Sequence, residues 1–195
     1  MNVTELLHVL HTAEKLKDTT RHSYTPNGRH ESVAEHTFRT ALMAYFMKDE
    51  FPEADMDKVI RMCLLHDMGE AFTGDIPAFE KTADDEALEK QLLYEWVDRL
   101  PDPYRTELRD LYAEMEARQT LEAKLFKALD GLEAVIQHNE APLSSWSDNE
   151  YELNLTYAEE NCAFSPYMMA LRKAVKEETV LKISQRSKVA DEPCG

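Results

Sequence analysis

The chain has 195 residues, of which 22 are Lys or Arg and 38 are Asp or Glu, so its formal net charge is −16. This length suits one domain with a single sizeable core, and only 5 glycines and 8 prolines disfavour sandwiches and barrels, which need many tight turns. The acid excess and the lack of a basic run argue against a nucleic-acid polymer as partner, because phosphate neutralisation requires clustered cations.

The sequence also carries no sign of a membrane or secreted protein. No apolar stretch approaches the ~20 residues needed to span a bilayer, and the first residues lack a charged region followed by an apolar one. Cys63, Cys162 and Cys194 are an odd number at no ligand-like spacing, which predicts free thiols. We therefore expect a cytoplasmic protein.

Helical periodicity begins near the N-terminus. Apolar residues at three- and four-residue spacing predict a helix over 4–17, followed by a polar, turn-rich stretch over 18–31. Ser32 and Glu35 then have the spacing of a capping box. They predict the start of a second helix, with His36 in its first turn.

The second and third helices supply most of the predicted core of the first half. Phe38, Tyr45 and Phe46 recur at helical spacing and are assigned to the packed interior. A third helix is predicted over 55–72, and it is apolar on most of its sides. We therefore expect this third helix to be central.

The second half continues the helical pattern without a repeat or a linker. The predicted helices cover 83–100, 102–118, 120–139, 149–161 and 166–183. Residues 1–183 are thus predicted to form one all-α domain, with a loose C-terminal tail over 184–195.

Four ionisable residues occupy apolar helical positions: His36, His66, Asp67 and Asp130. Burying such groups without a partner costs several kcal/mol, and a divalent cation would satisfy all four together. Imidazole and carboxylate are ligands shared by several metals, so the ligand types alone do not select one.

Two further carboxylates fall near this set in the sequence. Glu70 follows His66 by four residues and Asp67 by three, so a helix would place all three on one face. Asp75 follows where the chain leaves the third helix, and its side chain could swing over the same site. The pattern predicts a metal site with additional acidic groups beside it.

A purely structural interpretation stays open for each of these residues. With seven histidines in the chain, one adjacent His-Asp pair is close to chance, and a buried histidine is more often hydrogen-bonded than metal-bound. Asp130 could simply form an ion pair with Lys127 or Lys124.

The order of these residues along the chain resembles that of the motif residues in the HD-domain metal-dependent phosphohydrolases. This resemblance implies a single-domain helical bundle of the HD type. Within that group, three segments are most similar to the bacterial and eukaryotic 5'-deoxynucleotidase branch: residues 31–36, 65–70 and 74–77. The resemblance covers roughly residues 5 to 140, and no specific match extends beyond it.

The resemblance implies a role for each motif residue. The metal ligands would be His36, His66, Asp67 and Asp130. Arg21 and Arg29 match arginines of that branch that serve the substrate, and Glu70 and Asp75 match its acidic site residues. Some members carry, next to the first arginine, a tryptophan associated with sugar selection. This chain has His22 there, and the resemblance implies that His22 contacts the substrate.

The predicted reaction removes the 5'-phosphate from a nucleoside monophosphate, a deoxynucleotide by resemblance, through attack of metal-bound water. One divalent ion (Mn, Co, Fe, Ni, Mg or Zn) would supply positive charge and lower the pKa of water. Glu70 would handle the proton. Asp75 would protonate the leaving oxygen or accept a hydrogen bond from the sugar.

Two alternatives remain open, and the resemblance adds one expectation about assembly. An HD-type hydrolase of a triphosphate, a cyclic nucleotide or guanosine tetraphosphate would share the metal core, although it would need more cations than the motif segments offer. A non-catalytic helical metal-binding interaction protein would not require Glu70 and Asp75. The resemblance also implies a homodimer.

Overall fold

The computed structural model describes residues 1–190 and the side chains of residues 1–185. Most of this part of the chain is helical, which confirms the predicted all-α class. Its α-helices are α1 (Val3–Asp18), α2 (Val33–Phe46), α3 (Met56–Leu65), α4 (Glu70–Thr73), α5 (Ala83–Asp98), α6 (Tyr104–Ala117), α7 (Leu121–Glu140), α8 (Glu150–Thr156), α9 (Glu159–Cys162) and α10 (Pro166–Ala190).

A small hairpin replaces the loop predicted over residues 18–31. Strands β1 (Thr20–Tyr24) and β2 (His30–Ser32) form a two-stranded sheet. Its turn is closed by a 2.8 Å hydrogen bond from the Thr25 amide to the Arg29 carbonyl. Strands this short give little periodicity, which is why the sequence pattern indicated a loop.

The capping box at the start of α2 is present as predicted. The Ser32 side chain accepts from the Glu35 amide, and the Glu35 carboxylate accepts from the Ser32 amide. The outer face of α2 differs from the prediction. Phe38, Tyr45 and Phe46 were assigned to the packed interior, but they are 63%, 52% and 75% exposed. These aromatic residues lie on the surface, and the buried face of α2 is built from smaller side chains.

The predicted third helix is interrupted at the centre of its motif. Regular α3 ends at Leu65, a 3-10 turn covers His66–Gly69, and α4 follows. Asp67 has φ −95° and ψ 15°, outside the helical region. The Tyr112 hydroxyl donates to the Leu65 carbonyl at 2.8 Å, so α6 satisfies an acceptor beside this kink.

Two compact units make up the described chain. The first comprises Met1–His22 and Glu31–Phe126. In it, α2 packs against α3, α1 contacts both α2 and α4, and α5 contacts α4 and α6. The buried faces of α2 and α3 include the fully buried residues Val33, Val59 and Met62. This packing fixes the ends of α2 and α3 that carry the predicted site.

The second unit comprises Ser23–His30 and the chain from Lys127 onward. Here α10 packs against α8 and α9, which replace the single helix predicted over 149–161. Ala158, with φ 62°, separates those two short helices. Helix α10 runs to Ala190, beyond the predicted end at residue 183, and residues 191–195 lie outside the described part.

Two of the three cysteines can be compared with the prediction. Neither Cys63 nor Cys162 forms a disulfide, as expected, and both are buried, whereas Cys194 lies outside the described residues. Among the helices of residues 1–190, none has the length and apolarity required to cross a membrane.

Candidate metal centre

Three predicted ligands converge in the first unit. His36 lies in the first turn of α2 and is fully buried, and His66 and Asp67 lie at the kink after α3. The two histidine Nε2 atoms are 3.3 Å apart, and the Asp67 Oδ2 atom is 3.1 Å from Nε2 of His66 and 3.8 Å from Nε2 of His36. These atoms all lie within 4.8 Å of one another, close enough to share one ion.

The protonation of His66 follows from its local contact. Its Nδ1 atom lies 2.9 Å from the Cys63 carbonyl oxygen. A carbonyl can only accept, so Nδ1 carries the proton and Nε2 of the neutral ring presents a lone pair. Metal-bound histidines commonly have this second contact to a carbonyl, which fixes the ring orientation.

The donor set therefore fits a divalent cation. The Nε2 lone pair of His66 faces a second imidazole and a carboxylate oxygen, and a positive charge between them would stabilise all three. Neutral imidazole and carboxylate suit several first-row metals. Three such donors leave coordination positions for water or substrate, as in catalytic sites.

Glu70 begins α4 and is nearly buried, with 6% of its surface exposed. Its Oε2 atom is buried and has no hydrogen-bond partner among the described residues. Burial raises the pKa of Glu70 well above its usual value, and the nearby charges of Asp67 and Asp75 raise it further, against the opposing effect of Arg21. This carboxyl holds its proton to a higher pH than an exposed glutamate.

Asp75 is positioned by the turn that ends α4. Gly74 has φ 80° and ψ 168°, a conformation that disfavours residues with a side chain. The chain thereby leaves the helix and brings Asp75 near enough for its charge to raise the pKa of Glu70. Glu70 thus lies within electrostatic range of the predicted ligand Asp67, and Asp75 lies within electrostatic range of Glu70.

Arg21 reaches the same cluster from strand β1. Its Nη1 atom is 3.9 Å from Asp67 Oδ2, and its Nε atom is 3.3 Å from Oε2 of Glu31 on the neighbouring strand. The side chain is only 12% exposed, so the guanidinium is held between two carboxylates rather than solvated. This arrangement places one cation next to the candidate metal centre.

His22 and Arg29 contact other groups. The His22 ring packs edge-on against Phe79 with centroids 5.5 Å apart. Arg29 is exposed in the hairpin turn, and its Nη1 atom donates to the His30 carbonyl at 3.1 Å. Their predicted substrate contacts stay predictions.

Asp130 belongs to the second unit, in the middle of α7. Its Oδ2 atom is 2.7 Å from the Lys127 ammonium nitrogen, which is one of the ion pairs considered from the sequence. Phe126, one turn earlier in the same helix, stacks edge-on against His66 with ring centroids 5.2 Å apart. A ligand role for Asp130 stays a prediction.

Sequence reasoning assigned no role to three residues that shape this site. Glu31 is 2% exposed and pairs with Arg21. Its position in the motif segment that ends at His36 was the one sequence feature that could have pointed to it. The Cys63 carbonyl orients His66, which the sequence could not indicate. For Lys81, burial lowers the pKa, but the net shift is upward because of a hydrogen bond with Glu89 and the charges of Glu89, Glu70 and Asp67.

Known proteins are similar to this chain in sequence and in fold. The chain is 38% identical over 109 residues to 5'-deoxynucleotidase HDDC2 of Xenopus laevis, covering 55% of this chain and 53% of that protein. It is 37% identical over 118 residues to the Homo sapiens protein of the same name, covering 57% and 55%. The chain thus spans about half the length of these curated relatives.

A solved structure extends the similarity to nearly the whole chain. It is a predicted metal-dependent phosphohydrolase from Magnetospirillum magnetotacticum, with 26% identity, a TM-score of 0.74 and coverage of 92% of this chain and 93% of that one. The sequence model of the HD domain matches residues 13–171, which include every residue of the cluster described above. The chain belongs to the HD domain family.

Proposed function

We propose that this protein is a divalent-metal-dependent phosphohydrolase that removes the 5'-phosphate from nucleoside monophosphates, deoxynucleotides in particular. The observation that carries this proposal is the convergence of His36, His66 and Asp67 within 4.8 Å, with Arg21 beside Asp67. The names of the curated relatives support the nucleotide monoester as substrate, since they are called 5'-deoxynucleotidases.

Asp130 is the proposed fourth metal ligand. The match to the HD domain model supports this role, since it spans residues 13–171 and so includes Asp130. Asp130 would exchange its ion pair with Lys127 for the metal. When bound, the ion supplies positive charge for the phosphate and lowers the pKa of water.

The protein groups around the ion would divide the remaining work. A guanidinium makes bidentate hydrogen bonds to phosphate oxygens, so Arg21 would bind and orient the phosphate, with Glu31 holding its other side. The raised pKa of Glu70 suits a group that exchanges protons with water near neutral pH. Asp75 would either protonate the leaving 5'-oxygen or accept from the sugar hydroxyl.

The identity of the ion and the setting of the reaction are part of the proposal. The candidate ions are Mn, Co, Fe, Ni, Mg and Zn, and imidazole and carboxylate together suit the first-row transition metals among them best. We place the enzyme in the cytoplasm. Its substrates would be free nucleotides rather than a nucleic acid, because a net charge of −16 repels polyanions. Arg29 and His22 remain our candidates for further substrate contacts.

We further propose that two copies of the chain associate through the apolar faces of α1 and α2. Every exposed side chain of α2 is apolar or aromatic: Phe38, Leu42, Tyr45 and Phe46. Helix α1, which contacts α2, exposes its own apolar stripe: Val3, Leu6, Leu7 and Leu10. Two copies with a charge of −16 each repel, so an uncharged face is where they can meet.

The test of the activity is phosphate release from a panel of ribo- and deoxyribonucleoside 5'-monophosphates, each supplied with the candidate metals in turn. We expect release from deoxynucleotides with at least one metal, and none in Asp67→Ala. No release with any metal, or release that survives Asp67→Ala, would contradict the proposal.

Two further measurements separate the alternatives. Faster hydrolysis of a triphosphate, a cyclic nucleotide or guanosine tetraphosphate would assign the same centre to another substrate. In His66→Ala, loss of bound metal with retention of the helical circular-dichroism spectrum is expected of a catalytic site. Unfolding together with metal loss would indicate a structural ion.

A further inference from the structure

A cavity lies between α9 and α10 of the second unit. The residues that line it are distant in sequence from those of the metal centre. It has a volume of about 350 Å³. Its α10 wall is formed by Met169, Arg172, Lys173 and Lys176, whose spacing places them on one helix face. None of the residues that line this cavity belongs to the metal centre.

Arg172 is the unusual member of this wall because it is 3% exposed. Its Nε atom donates to the Tyr157 carbonyl at 2.7 Å, and its Nη2 atom donates to the Asn154 carbonyl at 3.0 Å. Both acceptors lie at the carboxyl end of α8, where free carbonyls carry partial negative charge. The third nitrogen, Nη1, is buried and has no hydrogen-bond partner within the described part of the chain.

The guanidinium is therefore a buried cation that lacks a full counter-charge. No carboxylate of the described residues forms an ion pair with Arg172, and the two carbonyl dipoles together with the more distant charge of Glu159 neutralise it only in part. Burial accordingly lowers the pKa of Arg172. Burying a charge is costly unless an opposite charge accompanies it.

The rest of the cavity adds positive rather than negative charge. Lys176 and Lys173 line its rim, and the single lining carboxylate, Glu159, is 3.8 Å from the Lys176 ammonium nitrogen. Burial raises the pKa of the Cys162 thiol to about 11, so that thiol is neutral at physiological pH. Three cations and one carboxylate thus line the cavity, and Glu177, outside the lining, pairs with Lys173 at 3.7 Å, in a chain whose overall charge is −16.

We propose that this cavity binds a small organic anion, with a carboxylate or phosphate group toward Arg172 and Lys176 and an apolar body against Met169 and Cys162. The volume lies at the lower end of the range for small-molecule sites, about 300–1,000 Å³. The mixed lining matches such a molecule, because the apolar wall desolvates the body and the cations attract the charged group.

The test is a titration of ¹⁵N-labelled, Mg²⁺-supplemented protein with three probes at constant ionic strength: benzoate, phenylphosphonate and neutral benzamide. We expect saturable shifts of the Cys162, Ala163 and Met169 amide signals with at least one anion. The two anionic probes distinguish a carboxylate from a phosphate preference. Benzamide, which has the same ring without the charge, should bind about tenfold or more weakly.

Variants identify the groups responsible. Arg172→Met removes the buried charge but also two contacts to α8, so it can fail to fold. Lys176 is on the rim and 40% exposed, so Lys176→Gln should fold and weaken anion binding about five- to tenfold, and Lys176→Glu should weaken it further. Lys17→Gln on α1 is the matched control, since Lys17 is 65% exposed and lies in the other unit.

Three results would overturn the proposal. The first is the absence of saturable shifts with both anions in folded protein. The second is equal affinity for benzamide and the anions, which would make the cavity merely apolar. The third is unchanged affinity in Lys176→Glu.

Discussion

The Nδ1 atom of His66 donates to the carbonyl oxygen of Cys63 at 2.9 Å, and the lone pair of Nε2 therefore points at the other ligands. This contact depends on the kink, where α3 ends at Leu65 and a 3-10 turn begins at His66. The backbone geometry at the kink thus orients the His66 ring toward the other ligands of the candidate metal centre.

Tyr112→Phe should destabilise the kink. The Tyr112 hydroxyl donates to the Leu65 carbonyl at 2.8 Å, and its loss leaves a backbone acceptor without that partner next to His66. We expect urea denaturation to show a free energy of unfolding lower by about 1–3 kcal/mol. Metal affinity should also fall, because His66 is less firmly oriented.

A suitable control for Tyr112→Phe is Tyr151→Phe, whose hydroxyl makes a longer contact of 3.4 Å with the Leu143 carbonyl in the second unit. Equal metal affinity in Tyr112→Phe and the unmodified protein would show that the kink does not depend on this hydrogen bond.

Glu70→Gln should reduce catalysis and, in chelated protein, increase stability at neutral pH. Because the folded-state pKa of Glu70 is raised by burial, the stabilising proton is fully bound below the usual pKa of 4.5 and is lost as the pH rises through the folded-state value. Above pH 4.5 the unfolded chain releases this proton, whereas the buried carboxyl must either retain it or carry a poorly solvated charge. Glu70 therefore destabilises the neutral-pH protein, and glutamine removes that effect.

The measurements for Glu70→Gln are kcat with saturating metal and the melting temperature in chelator as a function of pH. We expect kcat to fall about 10²–10⁴-fold, the usual contribution of a proton-transfer group. The melting temperature should exceed that of the unmodified protein at neutral pH by about 2–4 °C for each kcal/mol gained, and the difference should vanish in acid. A constant difference across pH would contradict the assignment.

Arg21→Lys should impair substrate binding although it keeps the charge. Lysine cannot present the planar pair of donors that binds two phosphate oxygens, nor bridge Glu31 and Asp67 in the same way. We expect kcat/KM to fall about 10- to 100-fold, since hydrogen bonds to charged groups contribute about 1.5–3 kcal/mol. Metal content should stay unchanged.

The matched control is Arg99→Lys, because the Arg99 side chain is 79% exposed on the surface. If Arg21→Lys lost metal instead of substrate affinity, Arg21 would be a group that positions Asp67 rather than one that binds phosphate.

Chelation should convert the site from one that attracts a nucleotide to one that repels it. Without a cation, the carboxylates of Asp67 and Asp75 and any ionised Glu70 outnumber the charge of Arg21. The affinity of Glu70→Gln for a deoxynucleoside 5'-monophosphate, measured by calorimetry, should drop sharply on addition of chelator. This variant is used because its expected loss of kcat slows consumption of the substrate. The same affinity with and without metal would argue against phosphate binding at the ion.

Phe46→Glu should dissociate the proposed homodimer. Phe46 is 75% exposed, so the substitution spares the core and places a carboxylate within the apolar face of α2. Sedimentation velocity should then show a monomer. Leu181→Glu on α10 is the control, since Leu181 is 60% exposed and lies outside that face. A monomeric unmodified protein would refute the interface.

Local sequence patterns were sufficient for the helical class and the capping box of α2, and they singled out His36, His66 and Asp67, which the fold brings together, although His66 and Asp67 lie in a 3-10 turn rather than in the predicted helix. Helical periodicity and capping depend on residues within four positions of one another, so a single sequence carries them. The pattern could not reveal which α2 face is covered, and Phe46 was wrongly assigned to the core. The same residues at the same spacing serve a buried face or an exposed one, and only the neighbouring helices decide between them.

The sequence by itself determined that this chain is acidic and helical and that it carries an ordered set of histidines and carboxylates. Only the tertiary structure decided that the helix breaks at His66, that Arg21 sits on a strand between Glu31 and Asp67, and that Arg172 is buried. The physical reason is that charges and lone pairs act over a few ångströms in space. Residues 21 and 67 are distant in sequence, and folding brings the Arg21 guanidinium within 3.9 Å of the Asp67 carboxylate.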